Sequence, residues 1–124
     1  MGVRDFRELR VFQQAFQAST TIFTHTRTWP AEERYRLADQ IKRSSRSVCS
    51  NIAEAWRKRR YPAAFVVKLS EADSEARETI TWLMSAKSAQ YLTVEEADRL
   101  VKVYDGICAM LFKMMQNPDS WAFL

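Results

Sequence analysis

The sequence predicts an all-α fold, an antiparallel four-helix bundle running up-down-up-down, and three observations carry that expectation. Only two glycines and three prolines occur in 124 residues, so the residues that interrupt helices are scarce. Apolar side chains recur at three- and four-residue steps in four successive stretches. Between those stretches stand the prolines and capping residues that end one helix and start the next. With 47% hydrophobic residues over this length, the chain suits one domain with a real core. Residues 1–117 are assigned to the bundle and 118–124 to an apolar tail.

The first helix is expected to open at Asp5, with Glu8 completing something close to a capping box. Leu9, Phe12, Phe16, Ser19 and Phe23 form its apolar stripe, and it fades at "RTWP", where Pro30 pushes Trp29 out of the α region. Pro30 then serves the first turn of the second helix, with Glu32 and Glu33 at the positive end of the dipole. That helix carries the stripe Leu37, Ile41, Ser44, Val48, Ile52 and Ala55 and runs to about Trp56 or Arg59. Pro62 starts the third helix, whose stripe is Phe65, Leu69, Ala72, Ala76, Ile80 or Thr79, and Leu83. Thr93 and Glu96 make a T-x-x-E box ahead of the fourth, which offers Ala97, Leu100, Val103 or Tyr104, Ile107, Leu111 and Met114 and stops at Pro118. The tail "DSWAFL" holds Trp121, Phe123 and Leu124. An apolar end of this kind either folds back on its own bundle or docks on a neighbouring subunit.

Most chemistries lack the residues they need. A diiron bundle requires Glu-x-x-His on two helices, and the chain has one histidine, His25. Cys49 and Cys108 are far apart, without companions at zinc-like spacing, and read as small buried hydrophobes in a reducing compartment. Glu71, Glu75 and Glu78, and again Glu95, Glu96 and Asp98, fall on outward faces near basic residues as ordinary solvated charges. No Gly-rich phosphate loop, no G-x-S-x-G elbow and no Cys-x-x-Cys occurs. No catalytic residue, cofactor, metal or small-molecule substrate is therefore expected. The N-terminus has no apolar h-region and no segment approaches the ~20 apolar residues of a membrane span, so the expectation is a cytoplasmic protein without a membrane partner.

Charge is distributed unevenly. From Ile41 to Arg60, seven basic residues (Lys42, Arg43, Arg46, Arg57, Lys58, Arg59, Arg60) face one acidic, Glu54, which leaves this window at +6 and the remainder at −2 against a total of +4. At 100° per residue from Ile41, Val48 and Ile52 lie within about 20° while Arg43, Arg46 and Arg57 cluster between about 140° and about 200°. Such a row either follows a phosphate backbone through charge-assisted contacts or simply solubilises a bundle. Lys58, Arg59 and Arg60 extend the potential and also complement the negative pole at the helix end. A flank of small residues, Ser44, Ser47, Asn51 and Ala55, permits close helix approach. Burying an unpaired amide costs roughly 1–3 kcal/mol, so a buried Asn51 needs a partner and would fix register within a bundle or between subunits.

The segments "FRELRVFQQAFQAS", "WPAEERYRLADQIKRSSRSVCSNIAEAW" and "FVVKLSEADSEARETITWLMSAKSAQYL" together resemble the four-helix-bundle family of proteins encoded in intervening sequences of 23S ribosomal RNA genes. The resemblance runs from about Asp5 to Met115 and is most specific in Gln40-Ile41-Lys42-Arg43 and Ser50-Asn51-Ile52-Ala53-Glu54. It departs where Cys49 stands for a common proline and Ala55 for a common glycine, which implies a straighter second helix. The resemblance implies a bacterial, non-enzymatic, ring-like homopentamer. In a related branch, the accessory variability proteins of diversity-generating retroelements, a basic surface binds a reverse transcriptase and nucleic acid. Carried onto this chain, that surface implies Lys42, Arg43, Arg46, Arg57, Lys58, Arg59 and Arg60 as contacts to RNA, DNA or a nucleoprotein. The first alternative is a structural assembly protein whose helix-packing residues Ser44, Ser47, Asn51, Ala55, Trp121 and Phe123 meet protein alone, and the second is a small all-helical enzyme.

Overall fold

Four helices follow one another: α1 (Arg10–Thr26), α2 (Leu37–Arg57), α3 (Pro62–Ser88) and α4 (Val94–Gln116), with short 3-10 turns at Phe6–Glu8, Ala31–Glu33 and Pro118–Trp121. The computed structural model describes residues 2–123. Met1 and Leu124, the last residue of the apolar tail, lie outside the described residues. Each helix packs beside its chain neighbours, α4 closes on α1, and the diagonal pairs stay apart. This is the square section of a four-helix bundle, and no strand occurs among the described residues.

The stripes of α2, α3 and α4 are the ones their periodicity predicts. Ile41, Ser44, Val48, Ile52 and Ala55 are buried on α2, and Leu37 packs half-buried against them. On α3 the core position is Thr79 rather than Ile80, and on α4 it is Tyr104 rather than Val103. The α2–α3 seam is closed by a polar contact. The hydroxyls of Ser44 and Thr79 meet at 2.8 Å, and Thr79 donates to the carbonyl of Glu75 at 2.8 Å. On the other flank Ser45 meets Ser19 of α1 at 3.2 Å. Asn51 is half-buried, and its amide donates within its own helix, to Ser47 O and Oγ at 3.0 and 3.1 Å. The cross-helix polar contact of the small-residue flank thus belongs to Ser44 and not to Asn51. The helix is unbroken through Cys49, which keeps the backbone N–H that proline would lack.

Helix α1 departs from expectation in both start and facing. Asp5 caps the 3-10 turn, Leu9 is extended (φ −66°, ψ 128°), and the α-helix begins only at Arg10. Its buried residues are Val11, Ala15, Ala18 and Ile22. Leu9, just ahead of the helix, is buried as expected, but the rest of the expected stripe is turned by one residue, about 100° around the helix, so that Phe12, Ser19 and Phe23 are half-buried and Phe16 is 58% exposed. Both stripes keep three- and four-residue spacing. The smaller side chains win the core because Ala15 and Ala18 let α1 close on its neighbours.

The second helix likewise starts later than Pro30. Residues Ala31–Glu33 form a separate turn, the chain breaks at Arg36 (φ −125°, ψ −109°), and α2 begins at Leu37. Glu33 organises this end of the bundle: Oε1 accepts from the Leu37 N–H at 3.3 Å, and Oε2 accepts from the Tyr91 hydroxyl at 2.8 Å. Trp29 is buried with its ring 5.6 Å from that of Tyr91, so the α1–α2 and α3–α4 connections are pinned together. The predicted capping box of α4 is present, with Glu96 N–H to Thr93 Oγ1 at 3.0 Å and Thr93 N–H to Glu96 Oε1 at 2.9 Å.

The tail folds back on its own bundle. Its 3-10 turn packs on α3 and α4, Ala122 is buried and Trp121 leans on the core, whereas Phe123 is 85% exposed.

Helix α3 ends in a Schellman motif without glycine. Tyr91 N–H bonds Ala86 O at 2.9 Å, Gln90 N–H bonds Lys87 O at 3.0 Å, and Gln90 takes φ 64°. A side chain in this left-handed region is strained. Gln90→Gly is therefore expected to raise stability by about 0.5–1 kcal/mol, or the melting temperature by about 2–5 °C, in a thermal denaturation series; an unchanged or lower midpoint would contradict this.

Candidate nucleic-acid interface

With Ile41, Val48 and Ile52 wholly inside, helical geometry turns Arg43, Arg46, Ser50 and Arg57 outward, and all four are exposed. They do not form one straight row. Arg43 lies 4.0 Å from Asp39 one turn earlier on α2 and feels the carboxylate of Glu75 on α3. Arg46 leans the opposite way, toward α1, with its guanidinium 5.4 Å from the centre of the Phe23 ring. Lys42 on the same shoulder is 5.6 Å from that centre, and Arg27, from the end of α1, is 5.0 Å from it. Arg34 joins Arg27 and Lys42 around a recess of about 180 Å³ beside Phe23 and Trp29.

The basic run at the end of α2 divides by role. Lys58 is the C-cap residue, its N–H returning to the carbonyls of Glu54 and Ala55. Arg59 donates through Nη1 to Trp56 O at 3.0 Å and stacks 4.1 Å over the Trp56 ring, so it closes the helix end. Arg60 is exposed. Arg57 borders a shallow depression shared with Phe6, Trp56 and Arg59.

Between these two basic ends runs an apolar groove of about 300 Å³ along the α1–α2 seam, bordered by Phe12, Phe16, Arg46, Cys49 and Ser50. Phe12 and Phe16 stack at 5.8 Å, and Phe6 meets Phe12 edge-on at 4.9 Å. Sequence reasoning assigned Phe12, Phe16 and Phe23 to the core and passed over Arg27 and Arg34. The available signal was that both apolar stripes of α1 fit a helix equally well.

Among the described residues, Arg27, Arg34, Lys42, Arg46, Arg57 and Arg60 have no carboxylate within ion-pair distance. Some acids elsewhere are matched: Lys68 bridges Glu54 and Glu71 at 3.9 and 3.1 Å, and Arg77 holds Asp73 at 3.0 Å.

His25 and Cys49 do not meet. His25 faces α4, its Nδ1 3.9 Å from Glu96, whereas the Cys49 thiol donates to Ser45 O of its own helix at 3.7 Å. Burial pushes the thiols of Cys49 and Cys108 up to about 11, with Asp73 adding to the effect at Cys108. No cluster of three metal-ligating side chains occurs among the described residues, and no helix there is long and apolar enough to cross a membrane.

Comparisons agree with this architecture. The profile of a family described as 23S rRNA-intervening sequence protein matches residues 7–113. A crystal structure from Bacteroides thetaiotaomicron, of a protein with unknown function from the S23 ribosomal protein family, superposes with a TM-score of 0.75 at 25% identity. It covers 86% of this chain and 98% of its own. Among curated proteins none matches the sequence.

The raised thiol values have a chemical consequence. With pKa values near 11 rather than the ordinary 9.0, the thiolate fraction at pH 8 falls about 100-fold. Iodoacetamide is expected to alkylate both cysteines slower by about that factor in the folded protein than in urea, by mass spectrometry. Comparable rates at either site would show a reactive thiol.

Proposed function

The chain belongs to the 23S rRNA-intervening sequence protein family, and on that premise we propose that it is a non-enzymatic, oligomeric helical bundle that binds nucleic acid through the basic side of α2. The observation that carries this reading is the set of cations gathered on α2 and the end of α1 without carboxylates of their own. Like charges held close repel one another, and phosphates supply the missing counter-charge. Arg43, Arg46 and Arg57 are exposed and available for such contacts, while Lys58 and Arg59 serve the helix end first.

Self-association into a homopentameric ring belongs to the same proposal. Val67, Met84 and Phe112 on α3 and α4, and Phe123 in the tail, are exposed apolar residues of the kind that subunit contacts cover. These residues also favour a second reading, a purely structural assembly in which the basic side only confers solubility.

Salt separates the two. Binding of labelled RNA and DNA, followed by anisotropy between about 50 and about 200 mM salt, should weaken linearly on logarithmic axes, with a slope of about 0.9 for each phosphate contacted. Replacing Arg43, Arg46 and Arg57 by Ala together is expected to flatten that slope by about 2–3 and to leave the folded mass unchanged by light scattering. Salt-independent binding, no binding, or a slope untouched by the triple replacement would favour the structural reading.

A further inference from the structure

We infer that the α1–α2 seam takes an unpaired strand rather than a duplex, its phosphates held around Phe23 by Arg27, Lys42 and Arg46 and its bases stacked on Phe16 and Phe12. The inference rests on the nucleic-acid reading above and specifies its substrate. The three cations lie 5.0, 5.6 and 5.4 Å from the centre of the Phe23 ring. No two of them can be more than about 11 Å apart, about one Debye length at 0.1 M salt. They share no carboxylate among the described residues, so an anion placed among them relieves the repulsion of all three. A single phosphate group, with charged oxygens in several directions, has that shape of charge.

The second half of the site is aromatic. Phe16 is 58% exposed and its ring is backed by Phe12 at 5.8 Å, with the planes 24° apart. A soluble chain gains nothing by presenting a phenyl ring to water, but a stacked pair offers a π-face to a flat, apolar partner. Phe16 and Phe23 are two turns apart on α1, about 10 Å along the axis. Arg46 borders the groove beside Phe16 and also reaches the Phe23 ring, so one side chain bridges platform and phosphate site. Bases in a duplex already stack on one another and present only their edges, whereas the bases of a single strand are free to lie on an aromatic ring. Cations interleaved with exposed rings along one groove therefore match an unpaired strand.

The test compares a labelled oligouridylate of about 12 nucleotides with an RNA duplex of the same length, each bound to wild type, Phe16→Ala and Phe16→Leu. Loss of one stacked base is worth about 5- to 150-fold in affinity. Phe16→Ala and Phe16→Leu are both expected to weaken the single strand by about 10-fold or more, with the melting temperature and the duplex affinity nearly unchanged; Leu keeps the apolar bulk and removes only the ring. A duplex that binds as tightly as the single strand, or a single strand indifferent to both Phe16 variants, overturns this inference while leaving nucleic-acid binding intact. A change in assembly mass without a change in single-strand affinity also overturns it, because Phe16 would then be a contact between copies. Binding of neither probe removes this inference together with the reading it rests on.

Discussion

The rotation of α2 about its own axis decides which of its residues this protein can use, and a buried pair of hydroxyls holds that rotation. Ser44 and Thr79 meet at 2.8 Å where α2 lies on α3, both shut off from water. Each hydroxyl also reaches a backbone carbonyl of its own helix, Thr79 to Glu75 O at 2.8 Å and Ser44 to Ile41 O at 3.3 Å, so the pair is bonded both along and between the helices. Turning α2 would break this cross-helix contact, leaving each hydroxyl only the backbone carbonyl of its own helix, and would move Ile41, Val48 and Ile52 out of the core. The contact of Ser45 with Ser19 opposes the same rotation from the α1 side. Once α2 is held this way, Lys42 and Arg46 have to stand over the shoulder facing α1, and they find Phe23 there.

The position of α1 follows from the same economy of space. Two stripes of apolar side chains run along it, and the bundle takes the one made of Val11, Ala15, Ala18 and Ile22. The phenylalanines are left at the seam, where neighbouring cations cover part of one ring and the other rings stack among themselves. A surface that combines charge with exposed rings is thus a product of core packing, and the residues of one helix alone do not define it.

This explains how far the sequence could be read. Helices α2, α3 and α4, the Thr93–Glu96 capping box and the outward facing of Arg43, Arg46 and Arg57 were legible, because each depends on periodicity or capping within one helix. The facing of α1 was not, since Phe12–Phe16–Phe23 and Val11–Ala15–Ala18–Ile22 satisfy the same spacing and only the neighbours decide between them. The start of α2 was displaced for a similar reason: Glu33 bonds both Leu37 and the distant Tyr91, a partnership that its place after Pro30 does not reveal. Asn51 is half-buried and its amide finds partners one turn away in Ser47, so within one bundle the cross-helix polar contact falls to the smaller Ser44. Arg27 and Arg34 lay outside the basic window and joined it only through the turn between α1 and α2.

The central claim is that the working surface is the α1–α2 seam and not α3 or α4. An NMR titration of the labelled full chain with a short single-stranded RNA tests it most directly, because every backbone and aromatic resonance reports its own position. Shifts are expected to concentrate on Phe12, Phe16 and Phe23 of α1, on Lys42, Arg43, Arg46 and Arg57 of α2, and on Arg27 and Arg34 between them. Shifts concentrated on the outer faces of α3 and α4, with the seam unperturbed, would contradict it.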